Sequence, residues 1–195
     1  MTKIAVFCSG FGSNFQALIN AVDDGRLKAE IALMVCDKPY AYVLTRAKNH
    51  NIPVFLFDPN SFSSREESER LIVKTLEGLG VDAIVLAGFM RIFTPYFIGS
   101  FKGRILNIHP SLLPAFKGAH AIRDAFEAKV KETGVTVHSV VQEVDAGPIL
   151  MQEKVSVLAG DTLESLENRI HETENRIYPK AVQSFISQLK TQQKS

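Results

Sequence analysis

Two kinds of run alternate along the chain. Residues 4–8, 31–36, 54–57, 83–87 and 104–109 are short and largely apolar, as in strands buried on both faces. Residues 14–22, 42–50 and 64–79 instead carry apolar side chains at helical spacing, with charge on the opposite face. Strands separated by helices predict a parallel sheet with helices on both sides. After residue 130 the pattern changes. Residues 134–141 and 149–157 are longer and more nearly alternating, and a loop with Asp145-Ala146-Gly147-Pro148 joins them. They predict an antiparallel pair added to the sheet. Asp161, with Glu164 three residues on, predicts the N-cap of a last helix that breaks near Pro179. The expected fold is α/β: a doubly wound, mostly parallel sheet with antiparallel strands near the C-terminal end. It forms a single domain over residues 1–190, followed by a disordered polar tail, 191–195.

Composition narrows the class of partner. The 195 residues are 46% hydrophobic and 22% charged, which excludes disordered and fibrous classes. Lys and Arg number 22 against 21 Asp and Glu, a net charge of +1. Such balance leaves no footprint for nucleic acid or an anionic membrane. Cys8 and Cys36 lie in strand-like runs and form no disulfide framework. The apolar run after Lys3 is too short for a signal peptide, and no stretch reaches membrane-spanning length. The expectation is a cytoplasmic protein, monomer or homodimer, with small-molecule partners.

Three segments carry candidate chemistry. Ser9-Gly10-Phe11-Gly12-Ser13-Asn14 lies between a strand and a helix, where backbone N–H groups and the helix dipole favour a phosphate. A dinucleotide fingerprint needs a third glycine where Phe15 stands, although Asp37 follows the second strand as a ribose-binding acid would. An NAD-linked oxidoreductase therefore stays open here, as does a ligand-binding protein without turnover. Asn107 and His109 are two apart on a strand, so they face the same way at its C-terminal end. An amide donor beside an imidazole suits acyl chemistry: one stabilises an oxyanion, the other moves protons. Asp145 sits in a rigid turn from which it can meet His109 and orient it. Alone, an Asp-x-Gly-Pro is more often a turn residue. No pair of histidines has metal-ligand spacing, so no metal is expected.

Taken together the segments resemble one family. Gly12-Ser13-Asn14, Leu86-Ala87-Gly88-Phe89-Met90-Arg91-Ile92, Asn107-Ile108-His109-Pro110-Ser111-Leu112-Leu113-Pro114, Gly134-Val135-Thr136-Val137-His138, Asp145-Ala146-Gly147-Pro148-Ile149-Leu150 and Glu174 ahead of Ile177-Tyr178-Pro179 occur in the order found in glycinamide ribonucleotide formyltransferases. The likeness runs from about residue 3 to residue 180.

The resemblance implies a Rossmann-like formyltransferase fold. It implies transfer of a formyl group from 10-formyltetrahydrofolate to the amine of glycinamide ribonucleotide, in purine synthesis. It implies roles as well. Asn107, His109 and Asp145 would be catalytic. Gly12, Ser13 and Asn14 would bind the substrate phosphate, and Glu174 its ribose or glycinamide portion. Arg65, Met90, Arg91, Ile92, Phe93, Asn107, Val141, Gln142, Glu143, Val144 and Asp145 would surround the folate. The chain departs from the family pattern at Phe15, where Leu is usual, at His171, where Gln is common, and at Asn175, where His is expected. Relatives acting on tRNA or water share the catalytic elements but carry an added domain, for which no room is expected here.

Overall fold

The computed structural model describes residues 1–192. Its strands and helices follow in the order β1 (Thr2–Cys8), α1 (Ser13–Asp23), β2 (Ala29–Cys36), α2 (Val43–Asn49), β3 (Val54–Leu56), α3 (Arg65–Gly78), β4 (Ala83–Leu86), α4 (Pro95–Ser100), β5 (Ile105–His109), α5 (Ala121–Glu127), β6 (Glu132–Ser139), β7 (Ile149–Ser156) and α6 (Leu163–Gln192). One seven-stranded sheet has the order β3-β2-β1-β4-β5-β6-β7. The first five strands in that order run parallel, and β6 and β7 add antiparallel. This is the doubly wound, mostly parallel sheet expected, with its antiparallel pair in place.

Alternation along the strands divides the core. Ile4, Val6 and Cys8 point to one face, with Val85, Leu106 and Ile108, and meet α1 and α6. Ala5 and Phe7 point to the other, with Ile84 and Ile105, and meet α3 and α4. On that second side Phe7, Phe93, Phe97 and Phe101 pack ring against ring, with Phe93 and Phe97 stacked at 4.0 Å. Each fully buried ring of this kind contributes roughly 1.5–3 kcal/mol.

Helix α6 explains a feature that affects the site. Leu166, Ile170, Ile177, Tyr178, Ala181, Val182, Phe185 and Ile186 form one buried stripe at helical spacing. Thr173 and Glu174 interrupt it and are buried nonetheless. Just past that polar notch, the Tyr178 hydroxyl donates to the Leu86 carbonyl at 2.6 Å and ties the helix to β4.

Several local expectations change. The cap of α6 is Thr162, not Asp161: Thr162 and Ser165 exchange hydroxyl–amide hydrogen bonds of 3.0 and 3.1 Å. Asp161 instead holds Arg169 at 2.8 Å and accepts from the Leu158 N–H. The helix does not break at Pro179, because tertiary packing of the apolar stripe on both sides outweighs one missing N–H. It continues through Thr191 and Gln192, into the expected tail, whose residues 193–195 lie outside the described part. Helices α4 and α5 have no counterpart in the hydrophobic pattern. They have six and seven residues, too few for a periodic stripe to show. A local signal for α4 did exist, namely Thr94 as cap followed by Pro95 at the first helical position.

Candidate active site

The strand order reverses at β1 and β4, which lie side by side although β1 connects onward to β2 on its other flank. Such a switch point opens a crevice at the C-terminal strand ends. Two features lie there, on β1 and β5. These strands flank β4, so their ends are about 10 Å apart by ordinary strand spacing.

At the β1 end, Gly12 has φ 77° and stands at the N-cap of α1 with no side-chain cap. A Cβ there would come within 2.6 Å of Val43 Cγ2, so both conformation and space call for glycine. The first turn holds no acidic residue. Its N–H groups thus form an uncapped, positively polarised helix end suited to an anion. Behind it Asn14 is buried. Its Nδ2 donates to Glu174 Oε2 at 3.1 Å, while its Oδ1 has no partner. His171 Nδ1 meets the same Glu174 oxygen at 2.9 Å. The hydrogen bond to Glu174 holds the half-exposed His171 above its ordinary pKa, against the opposing effect of burial. Gly12, Ser13, Asn14 and Glu174 therefore come together at one end of the crevice. Phe15, which departs from the dinucleotide pattern, is fully buried in the core.

At the β5 end, Asn107 and His109 lie on the same face, as period-two geometry requires. His109 Nε2 is 2.8 Å from the Phe116 carbonyl oxygen. A carbonyl can only accept, so Nε2 carries the proton, and Nδ1 turns to Asp145, whose Oδ2 is 3.5 Å away. Asp145 has φ 52°, uncommon for a non-glycine residue, and its side chain is 8% exposed. The Gly118 N–H donates to its Oδ2 at 2.9 Å. Burial pushes this carboxyl up. The His138 imidazole, the Gly118 N–H and the positive charge of either imidazole outweigh that, and it lies below the usual carboxylate value.

One member of this group was missing from the expected site. His138 is the antiparallel partner of Asn107 and lies 3.2 Å from its Nδ2 and 3.6 Å from Asp145 Oδ1. Its Nδ1 faces the Ser139 carbonyl at 3.0 Å and donates to it, so in the neutral ring Nε2 accepts from the Asn107 amide. The signal was its parity: Gly134, Thr136 and His138 share one face of β6. Only the β5–β6 register shows that this face meets Asn107.

Beside the group opens a cavity of about 330 Å³. Met90, Arg91, Ile92, Phe93, Asn107, His109, Val141, Gln142, Glu143, Val144 and Asp145 line it, together with Leu86 and Val140. Met90 is 72% exposed and Ile92 57%, a large apolar surface left bare beside polar backbone. Arg65 stands outside this lining. It donates to the Ile92 carbonyl at 2.9 Å and so supports the cavity wall. Among the described residues no group of three or more His, Cys, Asp and Glu is arranged to hold a metal ion, and no helix is long and apolar enough to cross a membrane.

An uncapped helix end, an amide–imidazole–carboxylate group and an apolar cavity thus share one crevice. Comparison with known proteins assigns the chain to a family. The model of the formyl transferase family matches residues 2–182. A phosphoribosylglycinamide formyltransferase of Bacillus subtilis is 43% identical over 95% of this chain and 95% of its own. One from Haemophilus influenzae is 45% identical, over 95% and 87%. The crystal structure of the Bacillus halodurans phosphoribosylglycinamide formyltransferase superposes with a TM-score of 0.93 at 46% identity, covering 95% of this chain and 96% of that one. The chain belongs to the formyl transferase family and is a formyltransferase.

Proposed function

We propose that the protein transfers the formyl group of 10-formyltetrahydrofolate to the primary amine of glycinamide ribonucleotide, a step of de novo purine (IMP) synthesis. The observation that carries this reading is the pairing, within one crevice, of an uncapped helix N-terminus with the Asn107–His109–Asp145 group. A phosphorylated amine anchored at Gly12, Ser13 and Asn14 reaches toward β5, with Glu174 beside its ribose or glycinamide portion. The folate lies in the cavity against Met90, Arg91, Ile92, Phe93, Asn107 and residues 141–145, and Arg65 braces that wall.

The folate supplies the formyl carbon as a substrate. The amine nitrogen bonds to that carbon, the bond from carbon to the folate nitrogen breaks, and one proton passes from the attacking to the leaving nitrogen. Asn107 has a second amide N–H, beyond the one engaged by His138, to donate to the formyl oxygen as it gains charge. His109 in its protonated form, its N–H groups held by the Phe116 carbonyl and Asp145, stabilises the same oxygen by its nearby positive charge. Asp145 holds the imidazole and accepts the proton in transit, directly or through water. Holding both reactants in one crevice contributes by proximity.

Mixing the protein with glycinamide ribonucleotide and 10-formyltetrahydrofolate tests the reading, with release of the deformylated folate followed over time. Turnover is expected, and an acceptor stripped of its phosphate should lose most of its kcat/KM, because remote binding energy positions the amine. Equal reaction of the dephosphorylated acceptor, or water as the preferred acceptor, would overturn the assignment.

A further inference from the structure

The Phe116 carbonyl that selects the His109 tautomer belongs to a loop, residues 110–118, that follows β5. Phe116 itself has φ 52°, a left-handed conformation that a bulky residue holds only where its surroundings enforce it. The same loop carries Gly118, whose N–H donates to Asp145. It thus contacts both partners of the His109–Asp145 pair, and its placement sets their geometry.

The start of the loop is fastened from β6 and β7. Thr136 lies opposite His109 in the β5–β6 register and is fully buried. Its hydroxyl donates to the Ser111 carbonyl at 2.6 Å, accepts from the Leu113 N–H at 3.1 Å, and accepts from Gln152 Nε2 at 2.8 Å. One donor and two acceptor positions are all that a hydroxyl has, so Thr136 is saturated. The Gln152 amide also donates to the Leu113 carbonyl at 3.1 Å. Ser111, itself fully buried, carries the restraint forward, its hydroxyl donating to the Ala115 carbonyl at 2.6 Å, one residue before Phe116. The Leu112 side chain rests where a Cβ on Gly134 would come within 2.4 Å of it.

We propose that Thr136 and Gln152 are positioning residues for catalysis: through Ser111 and Leu113 they lock the 110–118 loop and so hold His109 with Nε2 protonated and Nδ1 facing Asp145. The proposal rests on the reading of His109 as the group that serves formyl transfer. Neither Thr136 nor Gln152 itself lines the cavity, so their effect falls on turnover rather than on substrate binding. Without the Thr136 hydroxyl, a buried carbonyl, a buried N–H and the Gln152 amide lose a shared partner, and the loop must rearrange to satisfy them.

Thr136→Val keeps the side-chain shape and removes the hydroxyl. The expected result is a kcat lowered about tenfold or more by misplacement of the imidazole, with KM for both substrates within about twofold of wild type. In nitrogen-15 spectra of the neutral ring, wild-type His109 should show the pattern of a single Nε2-protonated tautomer, and the variant a mixture. Thr136→Ser should return most of kcat and the single-tautomer pattern. Gln152→Leu should move both readouts in the same direction by a smaller amount, about threefold in kcat. A folded Thr136→Val with wild-type turnover, or with lowered turnover and an unchanged His109 pattern, overturns the proposal. If Thr136→Val does not fold, Gln152→Leu decides: a wild-type pattern and kcat in that variant overturn it as well. The spectra need no turnover. Failure of the wild-type protein to transfer formyl groups would therefore count against the function while leaving the positioning relay to be judged separately.

Discussion

Gly147→Ala places one methyl group where the backbone leaves no space. A Cβ on Gly147 would lie 1.7 Å from the Ser139 carbonyl oxygen and 2.8 Å from its carbon. Carbon and oxygen in contact need about 3.3 Å, so the 145–148 turn and the end of β6 must part by about 1.5 Å. Both sides of that gap carry site residues. Asp145 is two positions upstream on the turn, and the struck carbonyl is the one that accepts from His138 Nδ1. Displacement on the order of 1 Å costs about 100-fold in rate when it misplaces a reacting group, so kcat should fall by about 100-fold. Overpacking of this sort costs about 1–3 kcal/mol of stability, which a urea melt reads directly. KM for the ribonucleotide should hold, since its proposed anchor is the N-terminus of α1 just past β1, two strands from β5. Gly78→Ala supplies the control, because a Cβ there meets nothing within 4 Å. A folded Gly147→Ala protein turning over like wild type would refute the claim that this close approach sets the Asp145–His138 geometry.

Other perturbations follow from the same geometry. Asp145→Asn keeps the shape and removes the charge facing two imidazoles; turnover should fall about 100-fold or more, and near-normal turnover in a folded variant would leave Asp145 as a turn residue only. Gly12→Ala combines a positive φ with a Cβ 2.6 Å from Val43 Cγ2, so it should raise KM for the ribonucleotide about tenfold while KM for the folate stays put; an unchanged ribonucleotide KM would remove the helix end as the phosphate anchor. His171 is held above its unfolded value of 6.5 by the hydrogen bond to Glu174. Its stabilising effect is full below that pH and is lost as pH rises through the folded value. Urea melts of wild type and His171→Gln should therefore differ more near pH 5 than near pH 9, and a constant difference would contradict the pairing.

The distribution of these features between local and distant causes accounts for what was legible in the chain. Strands β1, β2, β4 and β5 declare themselves as apolar runs because both of their faces are covered, and that burial is written into consecutive residues. The same-face placement of Asn107 and His109 needs only the two-residue period of a strand. The glycine-rich turn before α1 is likewise a local matter of backbone freedom. Family likeness in the ordered motifs added the expected substrates and the expected folate-lining residues, which no periodicity encodes. Other facts belong to chain segments far apart in sequence. Asp145 is 36 positions from His109, and only the antiparallel return of β6 and β7 brings the carboxylate within 3.5 Å of the ring. His138 enters the group through register, since a one-residue slip would turn it to the opposite face of the sheet. Pro179 remains inside a helix because the buried stripe of α6 outweighs the propensity of a single residue, and Thr162 rather than Asp161 caps it because Arg169 claims the aspartate. Local preference is set by a few neighbouring residues at about 1 kcal/mol each. The site is set by packing across the sheet, where many contacts act together on side chains that no short window of sequence contains.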